Sequence, residues 1–190
     1  VYDLTKQASE YLSHCGLLEP AVRPRGHWWH SYATACITSS IHMAATSVGV
    51  RYIPTHEILA LKGAPLALSR GQRTIVPDQL FALDYGGSFQ AFALEVDRGT
   101  EPIRSSADRK SLERSIGDYM TILKQQTYKS HYGLKANLIV LWTFTRQSRQ
   151  DQFLKALACQ KHPASRAMVS QVINEAALFK SPLASLTSEP

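Results

Sequence analysis

Residues 75–101, IVPDQLFALDYGGSFQAFALEVDRGTE, decide how this chain folds. They read as two apolar strands, IVPDQLFALDY and SFQAFALEVD, joined by Gly86-Gly87. Adjacent glycines supply the positive φ angles that a two-residue hairpin turn demands. With those two as the loop, cross-strand partners have numbers summing to 173, which sets Asp78 opposite Glu95. Strand side chains alternate with a period of two, so Asp97 falls on the same face as Glu95. Three carboxylates are therefore expected at one end of the hairpin. Acids set against one another repel, and a fold keeps them together with a cation between them or a proton on one. Two readings fit. In one, the acids are oxygen ligands for Mg²⁺ or Mn²⁺, an ion that activates water against a phosphodiester. In the other, they lie at a solvated sheet edge, each beside a Lys or Arg.

Working outward, the hairpin is apolar on both faces. Phe81, Leu83, Phe92, Leu94 and Val96 share one; Leu80, Ala82, Ala91 and Ala93 share the other. A sheet covered on both sides needs helices above and below, which means α/β layering. The Ala-rich stretch from Ser31 to Val48 reads as a helix suited to the small face, with Gly49 ending it. VRYIPTHEILAL, residues 50–61, reads as a strand broken at Pro54 or followed by a helical turn, and residues 61–73 as an irregular excursion. Beyond the hairpin, Ser105 or Ser106 is placed to cap a helix reaching about Gln126, with Leu112, Ile116, Tyr119, Met120 and Leu123 as its buried stripe. ANLIVLWTF, residues 136–144, has the continuous apolar character of a central strand, and TRQSRQDQFLKALACQ continues into a helix. A last amphipathic helix is expected from Pro163 to Lys180, with Met168, Val172, Ile173 and Ala176 inward, then a flexible tail over 181–190.

Pro77-Asp78, a gap of sixteen residues, and Glu95-Val96-Asp97 resemble the PD-(D/E)XK nuclease signature. The wider run PDQLFAL…FALEVDRGTEPI, with a helix reaching Tyr119, is similar to the replication-relaxation family of plasmid and mobile-element proteins. The resemblance covers roughly residues 1–145 and is strongest from Pro77 to Ile103. It implies a restriction-endonuclease-like core of order α-β-β-β-α-β, a mixed sheet flanked by helices, over residues 28–180. It also implies that residues 1–18, whose YDLT run would close a wing, are the remnant of an amino-terminal winged helix, with 19–27 as linker. Read by themselves, residues 5–18 are an amphipathic helix with Thr5 as N-cap.

Two positions depart from the pattern. Asp97 stands where the signature has lysine, and Ser115 stands where the family's helix often has one. In such nucleases the lysine positions the attacking water and stabilises developing charge. Lys110 or Arg114, from the same helix, are the candidate replacements. The resemblance thus gives Asp78, Glu95 and Asp97 as catalytic and metal-holding candidates, with Glu57 as a possible fourth carboxylate; an ordinary surface glutamate is the competing view of Glu57. Arg70, Arg73, Arg98, Arg146 and Arg149 are candidate nucleic-acid contacts.

Composition bounds the alternatives. A chain of 190 residues with 44% hydrophobic content suits one domain with a modest appendage. No apolar run approaches the roughly 20 residues of a membrane span, and no signal-peptide pattern opens the chain. Cys15, Cys36 and Cys159 are widely separated without a CxxC, which fits a reducing cytoplasm. A net charge of +6 permits an anionic partner. His27 and His30 have a spacing zinc sites use, but no second pair follows, and they are read as helix-capping or DNA-facing. Trp28 and Trp29 are read as core rather than as a base-stacking platform. A doubly wound nucleotide-binding fold lacks its GxGxxG or GxxxxGKS, and a serine hydrolase its GxSxG. Three functions remain: a DNA-binding replication or regulatory protein of a mobile element with weak cleavage or none, an active Mg²⁺-dependent endonuclease, and a non-catalytic interaction module, with homodimerisation as a further expectation.

Overall fold

A computed structural model describes residues 5–15, 28–70, 73–105 and 111–174. In chain order the elements are α1 (Lys6–His14), α2 (Trp28–Ser47), β1 (Arg51–Ile53), α3 (Thr55–Ala60), β2 (Leu68–Arg70), β3 (Arg73–Ile75), β4 (Gln79–Asp84), β5 (Phe89–Asp97), α4 (Leu112–Gln125), α5 (Thr127–Tyr132), β6 (Leu138–Phe144), α6 (Gln147–Ala158), a 3₁₀ turn (Pro163–Ala167) and β7 (Met168–Val172). The main sheet has the order β1-β4-β5-β6-β7, and β2 pairs with β3 separately. β4 runs antiparallel to its neighbours β1 and β5, whereas β5, β6 and β7 run parallel, so the sheet is mixed.

The hairpin forms as its glycines dictate. Gly86 and Gly87 take φ of 78° and 104°, and the Tyr85 N–H donates to the Ser88 carbonyl at 2.9 Å. Pairing from Asp84 with Phe89 to Gln79 with Leu94 keeps the expected register. Antiparallel strands need only that turn, while the parallel step from β5 to β6 needs a crossover, which α4 and α5 supply.

Both faces of the sheet are buried. Leu80, Ala82, Ala91 and Ala93 lie with Ile116, Tyr119, Met120, Trp142 and Phe153 in the larger core, under α4, α5 and α6. Phe81, Leu94 and Val96 lie with Trp29, Ala33 and Ile37 in the smaller one, under α2. The Ala-rich helix therefore covers the aromatic face, the reverse of the expectation. Close packing explains it: small helix residues meet the large sheet side chains, and the sheet's alanines leave room for the tyrosine and methionine of α4.

Three further boundaries differ from the sequence reading. The chain from Pro163 is a 3₁₀ turn followed by β7, parallel to β6, rather than one helix. Met168, Val169 and Val172 satisfy a strand's preference for β-branched and apolar residues at a sheet edge; Ala176, Lys180 and the 181–190 tail lie outside the described residues. The cap of α4 is Ser111, whose hydroxyl accepts from the Arg114 N–H at 3.4 Å. The excursion at 61–73 contains the β2–β3 ribbon, with Arg70 paired to Arg73. The strand and helical turn flanking Pro54 form as expected. The linker at 19–27 lies outside the described residues; Tyr11 in α1 and Cys15 just after it are exposed.

Candidate functional site

The acidic end of β5 is built by strand alternation. Glu95 and Asp97 continue the face of Ala91 and Ala93, so both point toward the α4 side, yet both are buried, at 5% and 9% exposure. Burying a charge is costly unless partners replace water. Each acid has such partners, and the partners differ.

Asp78 sits one residue past the regular ladder, behind Pro77, which has no N–H to extend it. The Asp78 N–H donates to the Leu94 carbonyl at 3.0 Å, a slip of one position that removes the direct opposition to Glu95 expected from the turn. Its carboxylate Oδ2 takes the place of a backbone carbonyl, accepting the Val96 N–H at 2.7 Å. Its Oδ1 lies 2.9 Å from Nε2 of His30, which α2 carries in.

Glu95 accepts the Tyr119 hydroxyl at 2.5 Å. Burial, then the Glu95 charge and that hydrogen bond, then the charge of Asp78, push the Tyr119 hydroxyl well above its ordinary range, so it stays protonated and donates. Asp97 is clasped by Arg149 from α6: Nη2 and Nε reach Oδ2 at 2.9 and 3.1 Å, and Nε reaches Oδ1 at 3.3 Å. Both side chains of this ion pair are more than nine-tenths buried. Arg149 Nη2 also donates to the Glu101 carbonyl at 3.0 Å, and the Gly99 N–H donates to Asp97.

Asp78, Glu95 and Asp97 line one cavity of about 210 Å³, together with His30, Arg98 and Trp142. The Arg98 guanidinium stacks over the Trp29 ring at 4.5 Å. Trp29 is thus core, while Trp28 is half exposed. Trp142, the direct β6 partner of Glu95, has a buried indole N–H without a hydrogen-bond partner, as has Arg98 Nε.

The remaining sequence candidates are dispersed. Glu57, in the first turn of α3, binds Arg51 at 2.7 Å and lines a separate cavity with Ile58 and Phe89. Arg149, taken from the sequence as a phosphate contact, is instead the buried partner of Asp97. Arg73 and Arg114 line a groove on α4, and Arg146 is the exposed N-cap of α6. Arg70 contributes its backbone to β2, and Lys110 lies outside the described residues. Sequence reasoning missed His30 as a partner for Asp78, and Tyr119 as more than a core residue. Nothing local signals either contact, since each joins elements far apart in the chain.

Among the described residues no group of three or more His, Cys, Asp or Glu side chains is arranged to hold a metal ion. Both oxygens of Asp97 face Arg149, and Glu57 is elsewhere. What the arrangement does chemically is to pair one buried acid with a guanidinium and to give the other two hydrogen-bonding partners in a phenol, an imidazole and a main-chain N–H.

No helix among the described residues is long and apolar enough to cross a membrane. No curated protein and no solved structure matches the chain. Residues 2–138 do match a family, replication-relaxation, and that stretch is well over half of the sequence: the chain belongs to the replication-relaxation family.

Proposed function

We propose that this protein binds DNA in a replication-related role of a mobile element, on a core akin to PD-(D/E)XK nucleases, with little or no cleavage. Family membership supports the replication-related role. The order α2, β1, β4, β5, α4, β6, with β5 and β6 parallel, supports kinship with the nuclease core. Within that kinship residues 28–180 are the nuclease-like domain. One observation carries the loss of cleavage. At the position of the signature's lysine, Asp97 is locked to Arg149 in a buried ion pair. A guanidinium held in that way is engaged by Asp97 and the Glu101 carbonyl, and does not serve a water or a leaving phosphate as a free ammonium would.

The second reading, Mg²⁺-dependent cleavage, has the shared cavity of Asp78 and Glu95 in its favour. Incubation with supercoiled DNA in Mg²⁺, Mn²⁺ or EDTA separates the two. Salt-sensitive retention of DNA without nicking is expected. Metal-dependent nicking that disappears in both Asp78→Ala and Glu95→Ala makes the protein an endonuclease and sinks the first reading.

A further inference from the structure

The proposed DNA binding leaves open which surface meets the DNA, and one groove outside the acid cavity has the chemistry for it. It measures about 490 Å³ and lies along the first turns of α4, with Arg73 on β3 and Arg104 and Arg114 supplying three guanidinium groups. Arg104 is 82% exposed on its side chain and Arg73 is 48% exposed. Two acids share the groove: Glu113, bonded to Arg104 at 2.6 Å, and Asp118, 3.9 Å from Arg73. Three guanidinium groups against two acids leave the lining net positive.

Gly117 supplies an independent clue. It stands in the middle of α4, where glycine costs about 1 kcal/mol relative to alanine. Its φ is not left-handed, and a Cβ built there meets nothing within 4 Å. Among the described residues, neither backbone conformation nor internal packing thus calls for glycine, yet it lines the same arginine groove. A glycine that the fold does not need is explained by something outside the chain approaching the helix backbone closely.

Position agrees. The segment from Arg98 to Ser105 walls both cavities, its first part lining the acid pocket and Arg104 and Ser105 lining the groove.

The geometry points to this groove as a seat for the phosphodiester backbone of a DNA strand, contacted by Arg73, Arg104 and Arg114 and packed against Gly117. This rests on the DNA-binding reading and adds the surface to it. The test is a salt titration of binding to labelled duplex and single-stranded oligonucleotides, using wild type, the triple variant Arg73→Ala/Arg104→Ala/Arg114→Ala, and Gly117→Ala. Three lost phosphate contacts reduce the slope of log K against log salt by about 2.7 on duplex DNA. Between about 50 and about 200 mM salt, the wild type then loses about 40-fold more affinity than the triple variant does. Gly117→Ala should melt at a higher temperature and yet bind several-fold more weakly. The single variant Arg104→Ala, at a highly exposed position, gives the same readout should the triple variant fail to fold. An unchanged affinity and slope in the arginine variants overturns the groove while DNA binding stands. Unimpaired binding by a stabilised Gly117→Ala overturns the contact with α4. Absence of DNA binding by the wild type removes both readings together.

Discussion

The acid pocket at the end of β5 and the arginine groove on α4 lie close together and are built on opposite principles. In the pocket, Glu95, Asp97 and Arg149 are almost wholly buried, and the charges are satisfied by one another, by Tyr119 and by main-chain groups. In the groove, Arg104 and Arg73 are open to solvent, Arg104 bonded to the part-exposed Glu113 and Arg73 lying 3.9 Å from the buried Asp118. An ion pair in a low-dielectric interior is held by the penalty of breaking it, whereas an exposed pair is weak and exchanges readily for another anion. The difference teaches that the Asp97–Arg149 pair is sealed inside the fold, whereas Arg104 and Arg73 stand where solvent reaches them.

The largest expected effect breaks the buried side of that comparison. Arg149→Met leaves the Asp97 carboxylate buried without its cation, and should destabilise the protein by about 3–5 kcal/mol. Asp97→Leu combined with Arg149→Met should recover most of that loss, because an apolar pair of similar volume carries no desolvation penalty. Urea denaturation of the two single variants and the double variant measures the coupling. Additive losses in the double variant would show that the pair is not a unit.

How much of this was legible in the sequence follows the range of the interactions. Gly86-Gly87 fixed the turn and the register as far as Gln79, because a two-residue loop leaves one geometry for its strands. It did not fix Asp78, where Pro77 ends the ladder and the side chain replaces a carbonyl. Alternation assigned the two faces of the hairpin, but not which helix covers which face; that is settled by volumes summed over elements far apart in the chain. The strand at Met168–Val172 looked helical because apolar residues at 168, 172 and 173 satisfy a helical period, and only pairing with β6 selects the strand. Arg149 was visible as a basic residue, though its partner 52 positions away was not.

A middle-sized effect concerns Tyr119. Tyr119→Phe removes a hydrogen bond to a buried carboxylate and should cost about 1.5–3 kcal/mol. It should also change the alkaline behaviour. The Tyr119 hydroxyl is raised above 10.0 in the fold, so the folded state holds a proton that the unfolded chain loses. Its contribution is complete below pH 10.0 and is lost as pH rises from there toward the folded value. Tyr52, pushed by burial to about 12, and Tyr132, raised by burial as well, act in the same direction. The wild type should therefore lose stability above about pH 10, and Tyr119→Phe should lose it less steeply. Parallel pH profiles for the two proteins would rule out the Tyr119 proton as a source of the slope.

The smallest effect sharpens the open side. Glu113 holds Arg104 at 2.6 Å in the groove, so it competes with any phosphate for that guanidinium. Glu113→Gln removes the competing charge from the first turn of α4, where an acid is worth about 0.5 kcal/mol to the helix. Thermal melting should hardly register the change, and DNA affinity at low salt should rise a few-fold. The sign separates the two regions: deleting a charge partner in the enclosed pocket destabilises the protein, and deleting one in the groove should make it bind better. If Glu113→Gln bound DNA more weakly, Glu113 would be orienting Arg104 for the phosphate rather than withholding it, and the groove would be preorganised in the same sense as the pocket.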